Sequence, residues 1–488
     1  MKLGWWILVY MNALSSRLCT WVCMSVSCHL WKHKIAPYFS IPEDDSVKKF
    51  EYPTTIDTCS GDYNINDEEV VCKNIMPIRH DSDFWVFVLE PLTRWDAARF
   101  LQATRHQILG TGEKDHQEAH AFLPLSTYLY SRMARWTMLI LPHLSFNGAC
   151  ILSAAIINNF IAFPMAALAS YNLYSSMEVV KLFCWYNPAT VFFTTAYSES
   201  IFASLTFTGY ALYNTTPILA IPFWMAASYT RSNGTFITGY IFLYQLGNIF
   251  LQYNSCNYKR ILFIISLTIL TMTLVAIPFL YHDYTGYQNH CTLTQDKPFW
   301  CDHVRQKYGI GMYSTIQKIH WNVGLFHYYQ IKQIPNFILA APILSISIYA
   351  IYKWIYYSIT IYYNNCNQQK NQINQLISWA IWSLQEQHYQ TKNDLVIDER
   401  DMVTNFGKKN VVFEERNLLA QYAMLAPFTI VCLVLAHIQI ATRVLASSCP
   451  ILYWFLTKQN KLLPWYKAYA ILYGILGCIL HVNWLPWT

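Results

Sequence analysis

Residues 261–281 read ILFIISLTILTMTLVAIPFLY, twenty-one positions without one charged side chain. A helix rises about 1.5 Å per residue, so about 20 such residues cross the hydrocarbon core of a bilayer. A helix covering a soluble core would carry a polar stripe; here the serine and threonines stand singly on an apolar ground. Runs of the same kind occupy Leu3–Leu30, Thr137–Ile157, Asn159–Ser176, Pro188–Tyr213, Thr216–Thr230, Thr235–Tyr253, Asn336–Tyr357, Asn417–Thr442 and Leu462–His481. The predicted fold is therefore an all-α polytopic membrane protein of about ten spans. Composition agrees: 54% of the 488 residues are hydrophobic and only 13% charged, against about 25% charged in soluble domains. The net charge of +6 is scattered along the chain, and no basic patch suits a nucleic acid.

The first run has a second reading. Lys2 ahead of an apolar core, with Ala13-Leu14-Ser15 as a cleavage site, resembles a signal peptide. The apolar character persists past Arg17 to Leu30, which favours a span. With the N-terminus cytosolic, residues 1–30 form the first span and 31–136 a luminal loop. Residues 137–281 then form a bundle of about six spans, 282–335 a second luminal loop and 336–357 another span. Residues 358–416, rich in Asn and Gln, make a variable cytosolic loop, and 417–488 hold the last spans. Two cysteine pairs lie in the loops placed in the lumen, Cys59 with Cys72 and Cys291 with Cys301. An oxidising compartment lets such pairs bridge, each worth about 2–3 kcal/mol by loop entropy. The sequons at Asn214 and Asn233 are expected to stay unused, the first being cytosolic in this topology and the second sitting at a span end.

Ionisable residues in or beside apolar runs are costly, and each is a functional candidate or a snorkelling side chain. They are Arg17, Glu199, Arg231 and Arg443. In the first loop, Trp95-Asp96-Ala97-Ala98-Arg99 reads as an amphipathic interfacial helix, where Asp96 and Arg99 could also be no more than an i,i+3 surface pair. His116, Glu118 and His120 alternate, as metal ligands on a strand do; an acidic, histidine-containing loop entering a helix accounts for them equally. Gly110-Thr111-Gly112-Glu113-Lys114 lacks the spacing of a phosphate loop.

Trp95-Asp96-Ala97, Ala121-Phe122-x-Pro124, Asn187-Pro188-Ala189, Tyr197-Ser198-Glu199-Ser200 and Arg231-Ser232-Asn233-Gly234 follow one another in the chain. After them come His320-Trp321-Asn322-Val323-Gly324, Gln333-Ile334-Pro335-Asn336, Thr442-Arg443 and Leu485-Pro486-Trp487-Thr488. In this order and spacing, from about Asp96 to the C-terminus, the chain resembles the PIG-V family of GPI mannosyltransferases. The resemblance implies a GT-C type, inverting α-1,6-mannosyltransferase with a helical membrane domain and its site at the luminal surface of the endoplasmic reticulum membrane. The implied donor is dolichyl phosphate mannose and the acceptor a GPI precursor glycolipid already bearing one mannose. Neither a cofactor nor a metal is implied; the partners are membrane lipids, and an accessory membrane subunit stays open. Asp96 is the expected catalytic base, with Trp95 beside it. Arg17, Arg99, Glu118, His120, Glu199, Arg231, Asn233, Asn322, Lys332, Asn336 and Arg443 are expected to bind donor or acceptor. A different lipid-linked-sugar glycosyltransferase would show paired acidic residues instead of one Trp-Asp, and a transporter matched halves with short loops.

Overall fold

The computed structural model describes residues 2–31, 81–110, 120–213, 215–253, 258–292, 297–305, 310–366 and 405–483. Among them every regular element is a helix. The N-terminal span is α1 (Lys2–Leu30), followed after residue 80 by α2 (Asp83–Leu89) and α3 (Asp96–Leu109). Next come α4 (Leu125–Ile140) and one continuous helix, α5 (Phe146–Tyr174). Two short pieces, α6 (Met177–Trp185) and α7 (Thr190–Thr194), precede α8 (Glu199–Tyr213), α9 (Pro217–Ser228), α10 (Ile237–Tyr253) and α11 (Tyr258–Tyr287). Then follow α12 (Cys301–Arg305), α13 (Met312–Trp321), α14 (Ile334–Cys366) and α15 (Asn405–Val434). The chain closes with two more short pieces, α16 (Ala441–Ser448) and α17 (Ile451–Thr457), and α18 (Leu463–Leu480).

Among the described residues five helical stretches are long and apolar enough to cross a membrane: Gly4–Leu30, Phe146–Tyr174, Tyr258–Thr292, Ile331–Tyr356 and Leu463–Leu480. The run that opens the sequence behaves as lipid-facing helix should, with Leu262, Phe263, Ile269 and Leu270 all exposed. The protein is thus an all-helical membrane protein, and among the described residues long helices are joined by several short ones. The two broken pairs, α6–α7 and α16–α17, lie inside. Val180, Leu182, Phe183, Leu445, Tyr453 and Leu456 are buried, and the Phe183 and Tyr453 rings meet edge to face at 5.5 Å. Interrupted helix at membrane depth leaves backbone groups unpaired, which only surrounding protein can satisfy. That is why the breaks sit centrally.

Several expected boundaries move. Thr137–Ile157 and Asn159–Ser176 are not two spans: the chain turns at 141–145 and then runs straight through Asn158 and Asn159. A π-helical turn over Ile157–Ala162 carries both asparagines into the protein. Pro188–Tyr213 is interrupted at Thr195–Ser198, and Asn417–Thr442 at 435–440. Helix α11 runs past residue 282 to Tyr287 and a π-turn continues to Thr292. The 358–416 segment is helical at both ends, to Cys366 and from Asn405; its middle lies outside the described residues.

Candidate active site

Four interruptions of the helical bundle meet at one end of it: the start of α3, the start of α8, the α9–α10 turn and the short helix α16. Each delivers one charged residue. Glu199 is the first residue of α8, where the positive end of the helix dipole favours an acidic side chain. It is fully buried. Its Oε1 accepts from Arg231 Nη1 at 2.6 Å and from Arg443 Nε at 2.8 Å. Arg443 turns its Nη1 towards Asp96 Oδ2 at 3.3 Å. Two cations and two carboxylates thus form a neutral cluster, the form in which charge tolerates a dry interior. The rings of Phe192 and Tyr197 support the Arg443 guanidinium at 4.7 and 4.9 Å, a cation–π seat. Arg231 Nη1 also donates to Ser198 Oγ at 3.2 Å.

Exposure divides the cluster. The Glu199 side chain is 0% accessible, those of Arg443 and Arg231 are 12% and 15%, and that of Asp96 is 40%. Asp96 is the member that an incoming molecule reaches. The turn before it is unusual: Trp95 has φ 57° and ψ −132°, a conformation costly for a residue with a Cβ and one that clusters at functional sites. Side chains hold it there. Trp95 Nε1 donates to the carbonyl of His481 at 3.1 Å and Arg94 Nε to that of Val482 at 3.0 Å. The last helix therefore ends beside Trp95, and its unpaired terminal carbonyls are met by this segment.

The α9–α10 turn is tight. A Cβ on Gly234 would come within 2.7 Å of the Ala227 backbone, so only glycine lets the turn fold back on α9. Asn233 Nδ2 donates to Ser448 Oγ at 2.9 Å, tying this turn to α16. The other sequon residue, Asn214, lies outside the described residues. Ser232 Oγ and the Tyr313 hydroxyl are 2.8 Å apart, and the Asp283 carboxylate accepts the backbone N–H groups of Gly311 and Tyr313. Helix α13 is thereby anchored next to Arg231.

The remaining expected site residues are distributed around this centre. Arg99 is exposed one turn along α3, and Lys332 is exposed before α14. Asn336 donates to the Tyr328 hydroxyl at 2.8 Å, and Tyr328 stacks on His437 at 4.5 Å, just ahead of the helix bearing Arg443. Asn322 is exposed in a left-handed turn (φ 52°), its Oδ1 3.2 Å from His327 Nδ1. His120 sits against His282 and His290, ring centroids 5.3 and 4.9 Å away. Burial and these two neighbours push its pKa down to about 3, so it is neutral at physiological pH. Among the described residues no group of His, Cys, Asp or Glu is arranged to hold a metal ion. Glu118, Cys59 and Cys72 lie outside the described residues. Cys291 and Cys301 are disulfide-bonded.

Arg17 is bonded throughout by the protein itself. It was expected to bind the donor phosphate from within the bundle, and it is indeed wholly buried. However, its five N–H groups already have acceptors. Nη1 donates to Thr190 O and Thr194 Oγ1, Nη2 to Cys184 O and Thr190 Oγ1, and Nε to Ser16 Oγ. Arg17 thus meets the Cys184 carbonyl at the end of α6 and the first carbonyl of α7, and we read it as part of the frame. Arg17→Leu is accordingly expected to lower stability by about 3 kcal/mol, since each stranded buried group costs ~1–3 kcal/mol, and to leave the donor KM of the folded fraction unchanged. A raised KM at unchanged thermal midpoint would return Arg17 to the binding site.

Sequence reasoning missed Tyr197, His481 and Asn158 as site residues. Tyr197 lay inside a quoted motif but carried no charge, and the others touch the site only through the fold.

Comparison with known proteins gives the cluster its context. A family model described as mannosyltransferase (PIG-V) matches residues 71–488. The human protein named GPI alpha-1,6-mannosyltransferase 2 is 27% identical, covering 82% of this chain and 88% of its own length. The GPI mannosyltransferase 2 of Drosophila melanogaster is 26% identical over 81% of this chain and 87% of its own, and that of Yarrowia lipolytica 32% over 34% and 43%. No solved structure matches. With the family model covering every described helix after α1 and every residue of the charged cluster, the chain belongs to the mannosyltransferase (PIG-V) family.

Proposed function

We propose that this enzyme transfers the second mannose, in α-1,6 linkage, from dolichyl phosphate mannose to a mono-mannosylated GPI intermediate at the luminal face of the endoplasmic reticulum membrane. The observation that carries the reading is the half-exposed Asp96 carboxylate beside Arg443, which shares the buried Glu199 with Arg231. The relatives' names supply the acceptor class and the linkage.

A polyprenyl-linked donor stays in the bilayer, so the reacting groups must stand where bundle meets water. An α product from a β-linked donor requires inversion at C1. The acceptor's 6-hydroxyl oxygen bonds to C1 as the C1–O bond to phosphate breaks. Asp96 takes the hydroxyl proton, and the dolichyl phosphate leaves with the electron pair. Charge gathers on the departing phosphate, and cations fixed in advance stabilise it without reorganising. Arg231 spends its Nη1 on Ser198 and Glu199 and presents its other nitrogens to the phosphate. Arg443 orients the base. Trp95, Arg99, His120, Asn233, Asn322, Lys332 and Asn336 line the approach for donor and acceptor.

The test is reconstitution. Purified full-length protein in lipid, given labelled dolichyl phosphate mannose and a defined mono-mannosylated acceptor, is expected to add one hexose removable by an α-1,6-specific mannosidase. Transfer only to an acceptor lacking the first mannose, or to an N-glycan precursor, would replace this reading with a neighbouring one.

A further inference from the structure

We propose that Tyr197 is a positioning residue of the transfer reaction: its hydroxyl holds the backbone of Asp96 while its ring seats Arg443, so one side chain sets the base against its cation. The proposal rests on the reading of Asp96 as the base.

The need arises at the start of α3. The first N–H groups of any helix lack partners within it, and Ser, Thr, Asp or Asn usually stands at the cap to supply an oxygen. Here the cap is Trp95, whose side chain makes no capping hydrogen bond. The Asp96 N–H donates instead to the Tyr197 hydroxyl oxygen at 3.2 Å, from 101 positions away in the chain. The same phenol ring lies 4.9 Å beneath the Arg443 guanidinium. Tyr197 therefore touches both partners of the Asp96–Arg443 pair.

The ring is itself fixed. It is 1% exposed, with Phe192 edge-on at 5.3 Å and His481 at 5.8 Å. Its carbonyl accepts from the Tyr130 hydroxyl at 2.7 Å and from Asn158 Nδ2 at 2.9 Å. The π-turn supplies that second donor: Asn158 also holds Thr195 O at 2.6 Å, and its neighbour Asn159 holds Thr194 O at 2.9 Å. π-turns inside helices are rare and frequently occur at functional sites. Here one clamps the Thr195–Ser198 break that presents Tyr197 to Asp96 and Glu199 to the arginines. His481 completes the arrangement from the far end of the chain, its carbonyl accepting from Trp95 and its ring lying against Tyr197. Such enclosure confines a catalytic group within the fraction of an ångström that productive geometry demands.

Tyr197→Phe removes only the hydroxyl and keeps the ring. The Asp96 N–H then loses its acceptor, and kcat per folded enzyme is expected to fall roughly 5- to 20-fold with donor and acceptor KM unchanged, while the thermal midpoint drops only slightly because Asp96 is half-exposed. A purely structural tyrosine gives the opposite pattern, a lower midpoint at unchanged kcat per folded enzyme. In single-turnover assays, Tyr197→Phe added to Asp96→Asn is expected to cost no further rate, because a residue acting through Asp96 has nothing left to position. Unchanged kcat in Tyr197→Phe, or a full multiplicative loss in the double variant, overturns the proposal. A near-normal Asp96→Asn enzyme instead removes the reading of the base, so the two failures are told apart. Should Tyr197→Phe fold poorly, Tyr210→Phe, at a buried tyrosine packed on Trp224 and Tyr240, serves as the control: a loss of kcat per folded enzyme there equal to that of Tyr197→Phe also counts against the hydroxyl.

Discussion

Asp96→Asn is expected to lower turnover by about 10²–10⁴-fold, the usual worth of general-base help, or about 3–5 kcal/mol of barrier. A sugar hydroxyl is far less acidic than a carboxylic acid, so its ionisation in advance cannot supply the nucleophile; the proton must leave as the bond to C1 forms. Asn keeps the shape of Asp and an oxygen for Arg443, but it cannot take that proton. The loss is therefore expected in kcat, with expression, thermal midpoint and donor KM near normal. The alternative is that Asp96 merely pairs with Arg443 at a half-wet edge. Exposed pairs contribute about 0–1 kcal/mol, so that case gives a slightly less stable enzyme of normal rate. Kinetics on purified variant with the defined acceptor separate the two. A turnover within threefold of the parent would remove Asp96 from the chemistry and leave the family membership intact.

The sequence and the structure agree where the physics is local. A run such as 261–281 declares its solvent through composition alone, and it is a helix throughout. Asp96 was visible because Trp95-Asp96 stands in an ordered series of short motifs. The partners of Asp96 were not, since Arg443 lies 347 residues away and nothing in its neighbourhood shows which carboxylate it meets. Arg17 makes the same point in reverse. A charge deep in a span marks a place where something polar must be satisfied, but not whether that is substrate or frame. The answer depended on Thr190, 173 positions distant, and on a helix break that apolar composition conceals. Breaks are hidden in general here: Pro188–Tyr213 is apolar on both sides of Thr195–Ser198 because both sides face protein. Conversely, the helix continues through Asn158 and Asn159, whose amides serve a neighbouring segment. Polarity inside a bundle reports an unmet backbone group somewhere nearby, and only the fold says on which chain segment.

Glu199→Gln is expected to damage stability and turnover together, which sets it apart from Asp96→Asn. Gln fills the same space and offers one oxygen, but its amide N–H groups point donors at donors. Two guanidinium groups then share a bundle end with one carboxylate, and Glu199 is the member with no access to water to soften the change. Removing one partner of a buried ion pair typically costs about 3–5 kcal/mol, because the charge left behind stays desolvated. A clear drop in thermal midpoint in lipid is the first expectation. The second is kinetic. Arg443, released by Oε1, is drawn wholly to Asp96, which holds the base away from the acceptor hydroxyl, and Arg231 loses the anchor that aims it. Turnover is expected to fall by at least the tenfold that about 1.4 kcal/mol of lost transition-state stabilisation brings. The double variant Glu199→Gln with Arg231→Gln distinguishes cause from consequence. It removes the stranded cation, so much of the lost stability is expected to return while turnover stays low, since the phosphate has lost a partner. Were turnover to recover along with stability, Arg231 would be only a counter-charge for Glu199, and the donor phosphate would have to be met by Arg443 alone.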